Sequence, residues 1–423
     1  ALELTMAILA ITLKKFRNWK TLTVAAFFFL EMAFVIFLTR GTAELQSIFV
    51  LTSKRGGVSI TAPDLVLPTL FSLWVIAALI GIAGVWQLVK GFKKTNTILI
   101  STIALVILAF LIWGTRGQDL NLTGMLASSI VRATPIALAA LSGLYSERSG
   151  VVNIGIEGMM LTGSLAAVVF ASASGSMLVG ILGGILFGML LGWLHGILCI
   201  KYRVNQIISG TGIIILSLGL TSYLFRAIID PNPTLSYPGP AIPAWPIPIL
   251  WKIPVIGPVF FNQSPIIYLL FIIIIVTQVL LYKTRWGLRI RAVGEHPKAA
   301  DTLGINVFRI RYICVLISGA IAGLAGAYMS IGAAGRFNES MSAGKGFLGL
   351  AAMIFGNWNP GTAYLGSLIF GFFDSWQEKL AIMQVGVPGE LLAMAPYIAT
   401  MIVLSGFMGR VRMPAADGTP YEK

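Results

Sequence analysis

Apolar windows of roughly 17 to 25 residues recur along this chain, each long enough to cross about 30 Å of hydrocarbon as a helix. A run such as IIYLLFIIIIVTQVLLY (266–282) is continuously apolar, whereas a barrel strand alternates over about ten residues. Helices therefore do the crossing, since a helix satisfies its own backbone where water is absent. The composition agrees: 57% hydrophobic residues, 11% charged and a mean hydropathy of +0.87 exceed what a soluble domain carries. The expected fold is all-α, a polytopic transmembrane helical bundle of about 10–12 spans, some of them broken. Spans are expected at 21–39, 69–89, 97–113, 122–144, 152–171, 176–199, 204–224, 264–282 and 310–332, then a broken pair at 346–356 and 361–377, and 386–408. Cys199 and Cys314 both fall inside spans, so they read as small core residues and not as a disulfide.

Positive loops stay on the cytoplasmic side, so Lys and Arg set the orientation. Segments assigned inside hold 20 basic residues, those assigned outside hold 9, and Arg132 lies within a span. Both termini are therefore expected in the cytoplasm. The same bias accounts for the net charge of +14 without a nucleic-acid partner. LKKFRNWK precedes the first apolar run, which lacks a small-residue cleavage site, so residues 21–39 read as a retained span and not as a signal peptide. The chain offers no Walker-type glycine loop and no metal-spaced His or Cys cluster, and His195 and His296 stand alone. The proline-rich connection at 225–263 reads either as an outer docking surface or as a stiff connector.

One polar island interrupts the apolar pattern. RAVGEHPKAADTLGINV (291–307) lies in the longest cytoplasmic loop, where Lys283 to Arg311 contains seven basic and two acidic residues. Pro297 suits a first helical turn and Gly304 a helix stop. Between them PKAADTL makes about two turns, with Ala299, Ala300 and Leu303 available for one face. So short a helix is unstable alone and must pack on its own spans or on a partner.

GLRIRAVGEHPKAADTLGINV resembles the cytoplasmic coupling loop of permease subunits in ATP-binding-cassette importers, in the branch that includes ribose, branched-chain amino-acid and nucleoside permeases. GLYSERSGVVNIGIEGMMLTGSLAA (143–167) and AAMIFGNWNPGTAYLGSLIFG (351–371) are similar to the nucleoside-type permeases that work with receptors of the basic membrane protein family. The resemblance implies a permease domain over 116–410, a cytoplasmic tail at 411–423, and an N-terminal extension over 1–115 with about three transmembrane helices. It further implies that this chain is no enzyme and holds no cofactor. ATP and Mg would sit in a cytoplasmic ABC ATPase, beside a second permease and a lipid-anchored receptor, in the inner membrane of a prokaryote. Gly294, Glu295, Pro297, Ala299, Ala300 and Gly304 match the coupling motif, while His296 and Asp301 fall at positions not expected to be fixed.

A solute path is expected where polar groups or broken backbone enter the membrane. Asn153 and Glu157, four residues apart on a helix beginning near Val151, and Asn357 are the candidates, placed where two interrupted helices of opposite sense approach each other. The alternatives are that Glu157 pairs with Arg148 or Arg132 and that the asparagines cap helices. Gly180, Gly184, Gly188 and Gly192 read as a helix-packing face. The solute is expected to be a nucleoside or a related neutral ring-bearing compound, with riboflavin or a sugar as alternatives. A secondary carrier would need carboxylates in its spans, and only Glu31 and Glu157 are read there. A membrane-embedded enzyme would need clustered Asp, Glu, His or Arg at one membrane face.

Overall fold

The computed structural model describes residues 19–52, 61–236, 239, 241–394, 397–398 and 412–422. Its principal helices are α1 (Trp19–Leu38), α2 (Thr69–Val89), α3 (Thr95–Gly114), α4 (Leu122–Arg148), α5 (Ile156–Ser174), α6 (Met177–Gly196), α7 (Gln206–Leu224), α8 (Pro265–Lys283), α9 (Arg285–Glu295), α10 (Pro297–Thr302), α11 (Val307–Ala327), α12 (Lys345–Phe355) and α13 (Pro360–Ile382). Among the described residues nine helices are long and apolar enough to cross a membrane. The expected span at 386–408 opens with a short helix, Gly389–Ala393, and otherwise lies largely outside the described residues.

Asparagine starts four of these helices. Asn121, Asn205, Asn306 and Asn359 each accept backbone N–H groups in the first turn of α4, α7, α11 and α13, supplying the acceptor that a helix start lacks. Pro135 interrupts α4 and leaves the Val131 carbonyl without its helical donor. The Tyr328 hydroxyl, from a π-helical extension of α11 (Tyr328–Ala334), donates to that carbonyl at 3.2 Å.

The centre of the bundle is α4, α5 and α11, with 72–78% of each apolar window buried, against 28–33% in the other spans. Helix α11 packs on α6, α5 and α4. The glycine face of α6 makes this possible: a Cβ at Gly188 would stand 2.6 Å from the Cα of Gly323, and one at Gly192 would stand 3.1 Å from that of Gly319. Close backbone approach of this kind is what holds helices together where lipid supplies no hydrophobic drive. A separate apolar cluster joins α1–α3 to α13, with Phe28, Leu73, Ile80 and Ile112 packed with Phe373 and Trp376. Phe110 meets the Trp376 ring edge-on at 5.3 Å.

At one end of the bundle, segments between the expected spans form strands. β1 (Gln46–Val50) pairs antiparallel with β2 (Leu65–Pro68) and parallel with β3 (Asp119–Asn121), in the register Ile48↔Val66 and Ile48↔Asp119. The opposite end carries α9 and α10. Sequence reading placed a helix at α10 but missed α9, which buries Gly287, Ile290, Val293 and Gly294 along one face.

Gly188→Val is expected to destabilise the fold by about 1–3 kcal/mol through overpacking and to lower the thermal midpoint in detergent. Gly212→Val, where a Cβ meets nothing within 4 Å, is expected to leave that midpoint unchanged.

Candidate functional site

Helix α4 runs for 27 residues and ends at Arg148. The chain then doubles back. Gly150 takes φ +88°, and a side chain there would strike the Arg311 guanidinium, whose Nη2 lies 2.8 Å from the Cβ position. Residues 151–153 return into the bundle without helical structure, and α5 begins at Ile156, not near Val151. Non-helical backbone at this depth must find its partners in protein. Ser146 Oγ donates to the Val151 carbonyl at 2.6 Å, Gln206 Oε1 accepts the Val152 N–H at 2.6 Å, and His195 Nε2 lies 2.9 Å from the Val152 carbonyl. Since a carbonyl only accepts, His195 carries its proton on Nε2, and Nδ1 is free to accept from Ser209 at 3.0 Å. His195 is thus a structural partner of the re-entrant segment.

Asn153 is fully buried and lies before α5, so it shares no helix face with Glu157 and caps no helix. Its Nδ2 donates to Ser318 Oγ at 2.9 Å, and Ser318 is itself bonded to Ser142. Asn153 Oδ1 has no partner. Ser142 lies six residues, about 9 Å along the axis, from the Arg148 end of α4, so Asn153 sits well inside the bundle.

Glu157 pairs with neither Arg148 nor Arg132. Its Oε1 accepts the Gly344 N–H at 2.8 Å and its Oε2 the Gly346 N–H at 2.6 Å. The carboxylate therefore stands in the first turn of α5 and also closes the start of α12, where two positive helix ends meet it. Helix α12 runs from there towards the α9–α10 end of the bundle, and α5 runs the other way. The opposite sense is the one expected from the sequence, but only α12, with 11 residues, is short, whereas α5 runs unbroken for 19.

Asn357 lies apart from this junction, at the far end of α12, whose 11 residues span about 16 Å. Asn357 and Trp358 adopt φ +50° and +53°. This turn is latched to the end of α4: Trp358 Nε1 donates to Glu147 at 2.7 Å, and Arg148 donates to the Trp358 carbonyl at 2.8 Å and to Tyr282 at 3.0 Å.

The matched coupling residues come together at the same end. A Cβ at Gly294 would overlap the Arg148 carbonyl, so α9 lies directly against the end of α4. Pro297 opens α10, and His296 Nδ1 accepts the Ala299 N–H at 3.1 Å as its cap. Histidine is outside the usual capping set, which is why sequence reading passed over it. Ala300 packs inward, while Ala299 and Leu303 are exposed, Leu303 by 81%, so the three do not share one buried face. Gly304, at φ +79° with open space around it, ends the element in the left-handed conformation that glycine adopts cheaply.

Sequence reading also missed what the tail does. Ala416 N–H donates to the Gly294 carbonyl at 2.8 Å, Ala415 N–H to Glu295 at 3.3 Å and Arg412 N–H to Asn357 Oδ1 at 2.8 Å. Arg311 donates to the Thr419 carbonyl at 3.0 Å, and Arg203 pairs with Glu422 at 2.7 Å. Residues 412–422 thereby strap α9 to the re-entrant turn. Burial pushes the Asp417 carboxyl up to about 7, against the opposing influence of the Gly418 N–H, Glu147 and Arg311.

Two tests follow from this geometry. Glu157→Ala removes the acceptor of two backbone N–H groups and is expected to cost on the order of 2 kcal/mol, read as a lower thermal midpoint, with Glu157→Gln intermediate. For the tail, the docked Asp417 holds its proton more tightly than a free carboxyl of pKa 3.8. Docking therefore weakens as pH rises from about 4 towards 7. Limited proteolysis of the tail is expected to be slower near pH 5 than near pH 8 in the wild type, and equally slow at both in Asp417→Asn.

Residues 125–405 match the family described as branched-chain amino acid transport system / permease component. The nucleoside ABC transporter permease protein NupC of Lactococcus lactis is 40% identical over 317 residues, covering 71% of this chain and 96% of that protein. The guanosine ABC transporter permease protein NupQ of Bacillus subtilis is also 40% identical, over 305 residues, covering 70% and 95% respectively. A second Lactococcus lactis protein, the nucleoside ABC transporter permease protein NupB, is 24% identical over 349 residues, covering 77% and 95%. No solved structure matches the chain. The chain therefore belongs to the branched-chain amino acid transport system permease family, as a multi-pass membrane permease subunit of a kind that works with an ATPase and a substrate-binding partner.

Proposed function

We propose that this chain forms the translocation path of an ATP-driven importer for nucleosides. The 40% identity to NupC and NupQ over nearly their whole length carries the choice of solute. The end bearing α9, α10 and the tail faces the cytoplasm, as the 20 to 9 bias of basic residues supports. There a cytoplasmic ABC ATPase, which holds the ATP and Mg, receives α10. The exposed Lys298, Ala299, Thr302 and Leu303 offer it a small, partly apolar knob on a capped and braced element. A second permease completes the path. That Lactococcus lactis has two nucleoside permeases resembling this chain supports a paralogue in that place. A lipid-anchored receptor delivers the solute on the opposite face, and the assembly sits in the inner membrane of a prokaryote.

Within this chain the path runs by the junction of α5 and α12. Asn153 and Glu157 lie there, and the unpartnered Asn153 Oδ1 is available to a hydroxyl or amino group of a passing solute. Asn357 belongs to the coupling end, where it links α12, α4 and the tail. Residues 1–115, which precede the family match, form an extension whose helices α1–α3 brace α13.

The test is nucleoside uptake by the complete importer in proteoliposomes. Leu303→Glu is expected to reduce uptake at least about tenfold, as burial of an unpaired charge against the ATPase would, with membrane abundance unchanged. Normal uptake in Leu303→Glu excludes α10 as the ATPase contact, and absence of nucleoside uptake in the wild type excludes the solute.

A further inference from the structure

Asp374 lies within the expected segment 361–377 and Glu378 in the continuation of α13 to Ile382, so that, with Glu147 near the end of α4, the bundle helices carry more carboxylates than the Glu31 and Glu157 read from the sequence. Asp374 and Glu378 both face Arg132 of α4. Arg132 Nη1 lies 3.0 Å from Asp374 Oδ2, and Nη2 lies 2.7 Å from Glu378 Oε2. With Gln377, Ala381 and Ile382 they line a cleft of about 550 Å³.

The depth of this cleft follows from the packing. Ser375 Oγ donates to the Met125 carbonyl at 2.8 Å, so the end of α13 lies beside the start of α4, at the end of the bundle opposite α9 and α10. Arg132 is ten residues into α4, about 15 Å along its axis, and Asp374 is about 12 Å from the end of α13. Charged groups at such depth line water or protein and not lipid. The side chains are not shut away: Arg132, Asp374 and Glu378 are 31%, 30% and 44% exposed. Phe373 and Trp376, on another face of α13, are covered by α1–α3, so this extension does not close the cleft.

One guanidinium set against two carboxylates leaves a formal charge of −1, which repels anions and favours hydroxyl donors. Each carboxylate gives one oxygen to Arg132 and has a second. We propose that this cleft is an entry station of the solute path, and that it takes the vicinal diol of a neutral ribose-bearing solute. Glu378, the more exposed carboxylate, accepts a hydroxyl hydrogen, and Gln377 donates to or accepts from its neighbour. This assignment rests on the reading of the chain as a nucleoside permease.

The experiment compares uptake of a ribonucleoside with its 2′,3′-dideoxy analogue by the complete importer, with the receptor saturated by each. A charge-assisted hydrogen bond lost to the analogue gives the wild type a preference of roughly tenfold or more. Glu378→Gln is expected to reduce that preference at least about threefold, with abundance unchanged. In a second arm Ala381→Cys is labelled by a membrane-impermeant thiol reagent, and the ribonucleoside, but not its analogue, slows the labelling. Ribonucleoside uptake with an unaltered preference in Glu378→Gln and no protection of Cys at 381 overturns the station while leaving the nucleoside reading intact. A wild type that carries no nucleoside overturns both.

Discussion

The architecture depends on one constraint: backbone that leaves a helix at membrane depth must find hydrogen-bond partners in the protein itself. The chain leaves helical geometry at 149–155, before α5, and again at 335–344, before α12. Each break is resolved by side chains from elsewhere. Ser146, Gln206 and His195 serve the first, and the Glu157 carboxylate serves the second. These partners fix where α6, α7 and α12 stand relative to α4 and α5. Polar residues that look anomalous in apolar spans are therefore the means by which α5 and the 11-residue α12 can start within the bundle. Left unpaired there, each polar group would cost on the order of several kcal/mol.

The junction is joined to the α9–α10 end of the bundle by short, stiff links. Helix α12 leads from Glu157 to the Asn357–Trp358 turn, which Glu147 and Arg148 hold against the end of α4. Gly294 then seats α9 on the Arg148 carbonyl with no room for a side chain. The tail closes the circuit from Gly294 and Glu295 to Arg311 and the re-entrant turn at Gly150. A displacement of α10 therefore reaches the base of both interrupted helices through packed backbone, without a long flexible segment between them. Such discrete, tightly packed contacts are the elements able to convert a push at one end into rearrangement within the bundle.

Most of the fold was legible in the sequence because spanning helices announce themselves by length and hydropathy. The boundaries of α2 and α8 were read to within a residue or two. Pro297 and Gly304 marked the start and stop of α10, and the glycine repeat of α6 marked its packing face, since each signal is local. Harder to read was α9, whose mixture of Arg and apolar residues forms an amphipathic helix only when a bundle offers it a surface. The strands β1–β3 were missed for a similar reason: β1 pairs with β2 across 16 to 22 residues and with β3 some 70 residues on, contacts that no local pattern marks.

Sequence alone thus determined that this is a helical membrane protein, where nine of its long apolar helices fall among the described residues, and where the short helices α10 and α12 lie. It did so because apolar length, glycine and proline act on their own neighbourhood. Tertiary structure decided the partners. Only in three dimensions does Glu157 meet Gly344 and not an arginine, does Asn357 separate from Asn153, and does Arg132 find Asp374 some 240 residues away. The physical reason is that a buried polar or charged group takes whichever complementary group the packing brings within about 3 Å, and that proximity is a property of the assembled bundle, not of spacing along the chain.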